Sequence, residues 1–236
     1  MLAVMDFRTP KADVDALLAK GVTVCKLPPH PALDPPVSAH PDMLLFFAPD
    51  HILCTPSYAK IAERELTLIE KTCNRPIRLT EQELASDYPH DIALNALPIG
   101  KHLFCHVTNT ARELLQSPAY QPHRIRQGYA KCAAIPVGAN ALITADPSLK
   151  RAAEQVGVDV LQISAGGVTL AGYDMGFLGG AASFAPYGVT DQIYFCGALE
   201  QHPDAVAIHR FCRAHGRTPH SLTHHPLTDV GTIFLL

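Results

Sequence analysis

Along this chain the apolar pattern switches from strand-like alternation to helical spacing and back five times, and that recurrence constrains the fold more than any single motif. Five helix-patterned segments, KADVDALLAKG, SYAKIAERELTLIEKTC, TNTARELLQS, SLKRAAEQVG and DAVAIHRFCRAHG, are each flanked by apolar strand-like stretches. Thr9-Pro10, Thr55-Pro56 and Asp146-Pro147 place an oxygen-bearing cap before a proline suited to the first helical turn. His202-Pro203 holds a similar place, and Thr110 with Glu113 has capping-box spacing. Gly21, Gly157 and Gly216 mark three helix ends.

A further short strand precedes each unit, in HPDMLLF, PHDIALN, YAKCAAI, GYDMGFL and PLTDVGT. Its aligned residues are Asp42, Asp91, Lys131, Asp174 and Asp229, spaced by 49, 40, 43 and 55 residues. The fifth unit is split, with VGTIFLL expected to pair beside MLAVMDF, so that two strand edges close on each other instead of lying open. The expectation is a single α/β domain over residues 1–236, a ring of five ββαβ units with one unit shared by the two ends of the chain.

Composition narrows the function classes. With 47% hydrophobic and 17% charged residues, the chain can bury a sizeable core. A net charge of -3 without a Lys/Arg run argues against a nucleic-acid partner. No stretch approaches the ~20 apolar residues of a membrane span, and Asp6 comes too early for a signal peptide. Seven Cys without a CxxC signal neither a disulfide framework nor a zinc ribbon, which fits a reducing, cytoplasmic setting. The glycines of GYDMGFLGG follow no strand-to-helix turn, so no dinucleotide cofactor is assigned. No pattern specifies an oligomeric state.

The five-unit pattern resembles the pentein, or guanidino-group-modifying-enzyme, superfamily, which forms a five-bladed α/β propeller. QGYAKCAAIPVGANALITADPSLKRAAEQVGVDVLQIS, GYDMGFLGGAASF and PLTDVGTI are similar to a bacterial family of unknown function with that fold. The resemblance implies a hydrolase or transferase acting on C–N bonds of guanidino compounds, or a non-catalytic module like the superfamily's ribosome-binding translation factor. The hydrolytic members attack with a Cys near the carboxyl terminus. Here no Cys follows Cys212, and Thr228, Asp229 or Gly231 takes that place.

If the five aligned residues face one axis, four carboxylates and one ammonium converge. Such a cluster binds a cation or holds protons. A guanidinium or amidinium fits, because carboxylates accept its forked N–H groups in pairs. Asp42, Asp91, Lys131, Asp174 and Asp229 are therefore the candidate ligand-binding residues for a small cationic molecule, with no catalytic residue assigned. The reading of them as turn-capping surface residues stays open beside this one. His40, His90 and His224-His225 stand beside the same strand starts and raise a metal-dependent hydrolase as an alternative. Their spacing matches no strong metal signature, so no metal is assigned. Strand alternation predicts that Cys132 faces away from the site if Lys131 faces in.

Overall fold

The computed structural model describes residues 1–236, and the period switches become short elements in one repeated order. The first group comprises β1 (Leu2–Asp6), α1 (Lys11–Ala19) and β2 (Thr23–Leu27). The second comprises α2 (Pro41–Leu44), β3 (Leu45–Phe47), β4 (Ile52–Cys54), α3 (Pro56–Ile61), α4 (Glu63–Cys73) and β5 (Ile77–Leu79). Next come β6 (Leu97–Ile99), β7 (His102–Cys105), α5 (Arg112–Leu115) and β8 (Gln121–Arg124). They are followed by β9 (Ala134–Pro136), β10 (Ala141–Thr144), α6 (Pro147–Gln155) and β11 (Asp159–Gln162). The last group contains β12 (Val168–Thr169), β13 (Ser183–Phe184), β14 (Gln192–Phe195), α7 (Ala205–Ala214), β15 (Thr218–Ser221), β16 (Leu227–Thr228) and β17 (Ile233–Leu235).

Local chemistry sets the helix ends, with two departures from expectation. Thr55 and Asp146 cap α3 and α6 by accepting the Tyr58 and Leu149 amides. Thr9 does not cap α1: its hydroxyl donates to the Asp6 carbonyl at 2.7 Å. Thr110 likewise turns to the His106 carbonyl, so no capping box forms and α5 is a single turn.

Three sheets share one pairing order, an antiparallel pair followed by a parallel pair: β3-β4-β5, β6-β7-β8 and β9-β10-β11. The two ends of the chain make the fourth, because β17 pairs antiparallel with β1 (Ala3 opposite Leu235) and β1 pairs parallel with β2. In the last group β14 and β15 pair in parallel. An Ala182–Phe195 bridge and the Tyr194 amide donating to Ser183 Oγ at 2.8 Å link β14 to the strand before it, since β13 runs beside β17 instead. The β12–β16 ladder was not expected from the sequence.

Five apolar clusters fill the space between consecutive groups. One joins Leu2, Val4 and Leu27 to Met43, Ile52, Tyr58 and Ile69. The second joins Phe46 and Leu53 to Leu103 and Leu114, and the third joins Leu97 and Phe104 to Leu142 and Leu149. The fourth joins Ile135 and Ile143 to Phe195 and Ile208, and the last packs Tyr194, Ile233 and Leu235 against Ala3, Met5 and Leu17. No helix is long and apolar enough to cross a membrane.

Candidate functional site

The short helix α2 ahead of β3 and the turns that lead into β9 and β17 deliver Asp42, Lys131 and Asp229 to one buried cluster. Lys131 Nζ donates to Thr232 Oγ1 at 3.0 Å, and Thr232 Oγ1 lies 2.8 Å from Asp42 Oδ2 and 3.0 Å from the Gly179 carbonyl. Asp42 Oδ2 also accepts the Cys132 thiol at 3.0 Å. Asn95 locks the turn by accepting the Lys131 amide on Oδ1 at 2.8 Å and donating its side-chain amide to Cys132 Sγ at 3.2 Å. Asp229 is held by backbone: Gly231 N donates to Oδ1 at 2.9 Å and Phe177 N to Oδ2 at 2.8 Å. His40 stands between acids, with Nδ1 3.9 Å from Asp229 Oδ1 and Nε2 4.0 Å from Asp6 Oδ2. Arg8 grips Asp6 through both carboxylate oxygens.

The packing is tight enough to dictate residue types. A methyl on Gly180 would sit 1.9 Å from Asp229 Oδ1, so only glycine leaves room for that carboxylate. Thr232 holds φ at +67°, a conformation costly for a β-branched residue, and this aims its hydroxyl between Lys131 and Asp42. A cavity of about 10 Å³ bordered by Asp42, Lys131, Phe47, Phe184 and Phe234 is the free space here, about one water's worth.

Burial dominates the electrostatics. It raises the Asp42 and Asp229 carboxyls above their ordinary range, with Lys131 opposing at Asp42 and His40 opposing at Asp229. It pushes Lys131 down to about 8, against the pull of Asp42, Cys132 and Asp229. It lowers the His40 imidazole, against the pull of Asp229 and Asp6. The Cys132 thiol is pushed far above its usual range by burial and by the fields of Asp42 and Asp229, so it stays protonated.

The remaining predicted site residues lie elsewhere. Asp91 forms a second group: Tyr129 donates its hydroxyl to Oδ2 at 2.7 Å, and the Tyr88 and Phe177 rings stand 5.6 and 6.3 Å from that of Tyr129. Burial raises the Asp91 carboxyl, against the Tyr129 hydrogen bond. Asp174 is exposed and joins neither group. The reason is register: Asp42 and Lys131 stand three residues before Leu45 and Ala134, whereas Asp91 stands six before Leu97 and Asp174 nine before Ser183. Asn95 and the Gly179-Gly180 pair enter the central cluster in their stead. Cys132 corrects a second expectation, since residues 131–133 form a turn and alternation starts only at Ala134. Thr232 gave no signal beyond its place after Gly231. His40, Asp42 and Cys132 offer donor atoms within 4.8 Å of one another, but the Lys131 ammonium beside them opposes a metal cation.

The family of unknown function DUF6873 matches residues 4–234. The chain belongs to that family. No curated protein sequence matches this DUF6873 chain. Among solved structures it is similar to DDAH of Pseudomonas aeruginosa, captured as a mutant with citrulline, at a TM-score of 0.53 and 10% identity over 93% of this chain and 90% of that one. A dimethylarginine dimethylaminohydrolase adduct with S-methyl-L-thiocitrulline gives 0.54 and 11% identity over 93% and 91%. This DUF6873 protein therefore has the mixed α/β fold of those pentein-superfamily enzymes.

Proposed function

We propose that the chain is a five-bladed α/β propeller of ββαβ units that binds a small guanidinium or amidinium compound at its carboxylates. The ring reading is supported by the five apolar clusters, each shared by consecutive groups, the last packing against the first. The observation that carries the binding reading is a pair of orphaned acceptors: Asp42 Oδ1 and Asp91 Oδ1 are buried and have no hydrogen-bond donor. A buried carboxylate oxygen without a donor is costly; the space beside Asp42 admits no more than a water, whereas a forked N–H cation supplies what Asp91 lacks. Asp91 is the entry point, because the part-buried Tyr129 and the exposed Tyr88 offer flat aromatic faces beside it. Of the neighbours' ligands, S-methyl-L-thiocitrulline carries an amidinium-like isothiourea, whereas citrulline carries the neutral urea counterpart of a guanidinium.

Thiol catalysis is not part of this reading. Cys132 is protonated, and Thr228, Asp229 or Gly231 takes the place at which the resemblance puts the superfamily's carboxyl-terminal Cys. A non-catalytic protein-binding or ribosome-binding module is the second reading, favoured by Lys131, which already supplies a resident cation at Asp42.

Thermal-shift titration with arginine, agmatine and acetamidine, against urea as the neutral control, tests the proposal. A cation at 100 times its Kd stabilises by about 2.7 kcal/mol, or roughly 5–10 °C for a chain of this size. Asp91→Asn should weaken that ligand about tenfold or more, the worth of a charged hydrogen bond. No shift with any cation, or a shift indifferent to Asp91→Asn, refutes the binding site.

A further inference from the structure

We propose that Asp13, Cys196 and His225 form a binding site for a thiophilic divalent metal ion, with Zn²⁺ the best match to the ligand set. The three residues lie far apart in sequence, on α1, directly after β14, and just ahead of β16. The fold brings their donor atoms within 4.8 Å of one another. Asp13 Oδ2 faces Cys196 Sγ at 3.2 Å and His225 Nε2 at 2.5 Å.

The supporting contacts are those a metal site requires. Asp13 Oδ1 is held by the Gly197 amide at 3.2 Å and the Thr223 hydroxyl at 2.8 Å, which leaves Oδ2 directed at the other two ligands. His225 Nδ1 donates to the Pro226 carbonyl at 2.7 Å, and this fixes the ring with Nε2 toward Asp13. Metal-ligating histidines are oriented in this way, through the nitrogen that does not bind. Asp13 and Cys196 are fully buried, while His225 is partly exposed and opens the site to solvent. Three protein ligands with a solvent-facing fourth position is an ordinary zinc arrangement.

Charge balance distinguishes this cluster from the one around Asp42. A carboxylate, a thiolate and a neutral imidazole around a divalent cation sum to zero, which suits a buried position, and no lysine or arginine hydrogen-bonds or ion-pairs with these three side chains. Binding forms metal–sulfur, metal–nitrogen and metal–oxygen bonds. The protons that now point at Oδ2, from the thiol and from Nε2, leave to solvent, and nothing is oxidised or reduced. The ion would tie α1 to the last third of the chain.

Titration of the metal-stripped full chain with Co²⁺ alone tests the site. The expected result is one equivalent bound with a thiolate-to-cobalt charge-transfer band, displaced by Zn²⁺. Cys196→Ser and His225→Gln should each abolish that band, whereas Cys132→Ser should leave it. Thr223→Val should keep the band and weaken binding about 10–100-fold. Because Cys196 is buried, circular dichroism accompanies each variant, and the partly exposed His225→Gln stands as the decisive one should Cys196→Ser misfold. No charge-transfer band, a band that survives His225→Gln, or one lost in a folded Cys132→Ser overturns the proposal.

Discussion

Replacing Lys131 by Met removes one buried charge while keeping an unbranched side chain near the rings of Phe184 and Phe234, whose centres lie 5.3 and 5.9 Å from Nζ. Asp42 and Asp229, both buried and mutually repelling, then lose their common cation. Breaking a buried ion pair costs about 3–5 kcal/mol. Since Lys131 reaches Asp42 through the Thr232 hydroxyl, the lower end applies, about 3 kcal/mol near neutral pH. Urea unfolding followed by circular dichroism should place the midpoint about 1 M below that of the parent, for an m-value of about 3 kcal/mol per molar. The deficit should also depend on pH. Asp42 has a folded pKa above its ordinary 3.8, and losing Lys131 raises it further. A group that binds its proton more tightly in the folded state costs stability at high pH, and that cost fades as pH falls toward the unfolded value. The deficit therefore shrinks as pH is lowered from neutral toward the ordinary carboxyl range. Lys131 carries the opposite linkage. Its folded pKa is about 8 against an ordinary 10.5, so the parent gains stability between those values, and the variant lacks that rise. An unchanged midpoint, or an equal deficit at neutral and acidic pH, would refute the assignment of Lys131 as the neutralising charge.

Gly180→Ala should cost about 3 kcal/mol in the same assay, because the added methyl displaces Asp229 from two backbone donors; full stability would deny the close approach. Iodoacetamide at mildly alkaline pH should label half-buried Cys73 well before Cys132 in the native protein, as read by peptide mass mapping. Early labelling of Cys132 would revive a reactive thiol. Asn74 ends α4 at a φ of +50°, so Asn74→Ala should lower stability by about 1 kcal/mol while Asn74→Gly is close to neutral, measured by thermal unfolding.

Much of the fold was legible because its signals are local. Alternation, helix-starting prolines and glycine stops mark β1, α1, β2 and the equivalent groups, and the split unit follows from the apolar runs at residues 1–7 and 230–236. The site was legible only where register was regular. Asp42, Lys131 and Asp229 precede their strands at nearly equal distance, whereas the approaches to β6 and β13 are longer and carried Asp91 and Asp174 away from the centre. Cys132 was misplaced because alternation was extended into a turn. Thr232 and Asn95 act through a positive φ and a side-chain amide spanning two turns, and neither leaves a periodic trace.

The pairing of Ala3 with Leu235 also bears on how the chain acquires its shape. During synthesis β1 finds β2 within a few tens of residues, but its other edge has no partner until residues 233–235 have been made. Leu2, Ala3, Val4 and Met5, all buried in the finished sheet, stay available to other chains for that interval. A contact spanning nearly the whole sequence slows closure, since so long a loop must form before the pairing rewards it. Chaperone dependence and aggregation should accordingly concentrate at the first strand, and a chain arrested before β17 should be soluble only while that edge is covered.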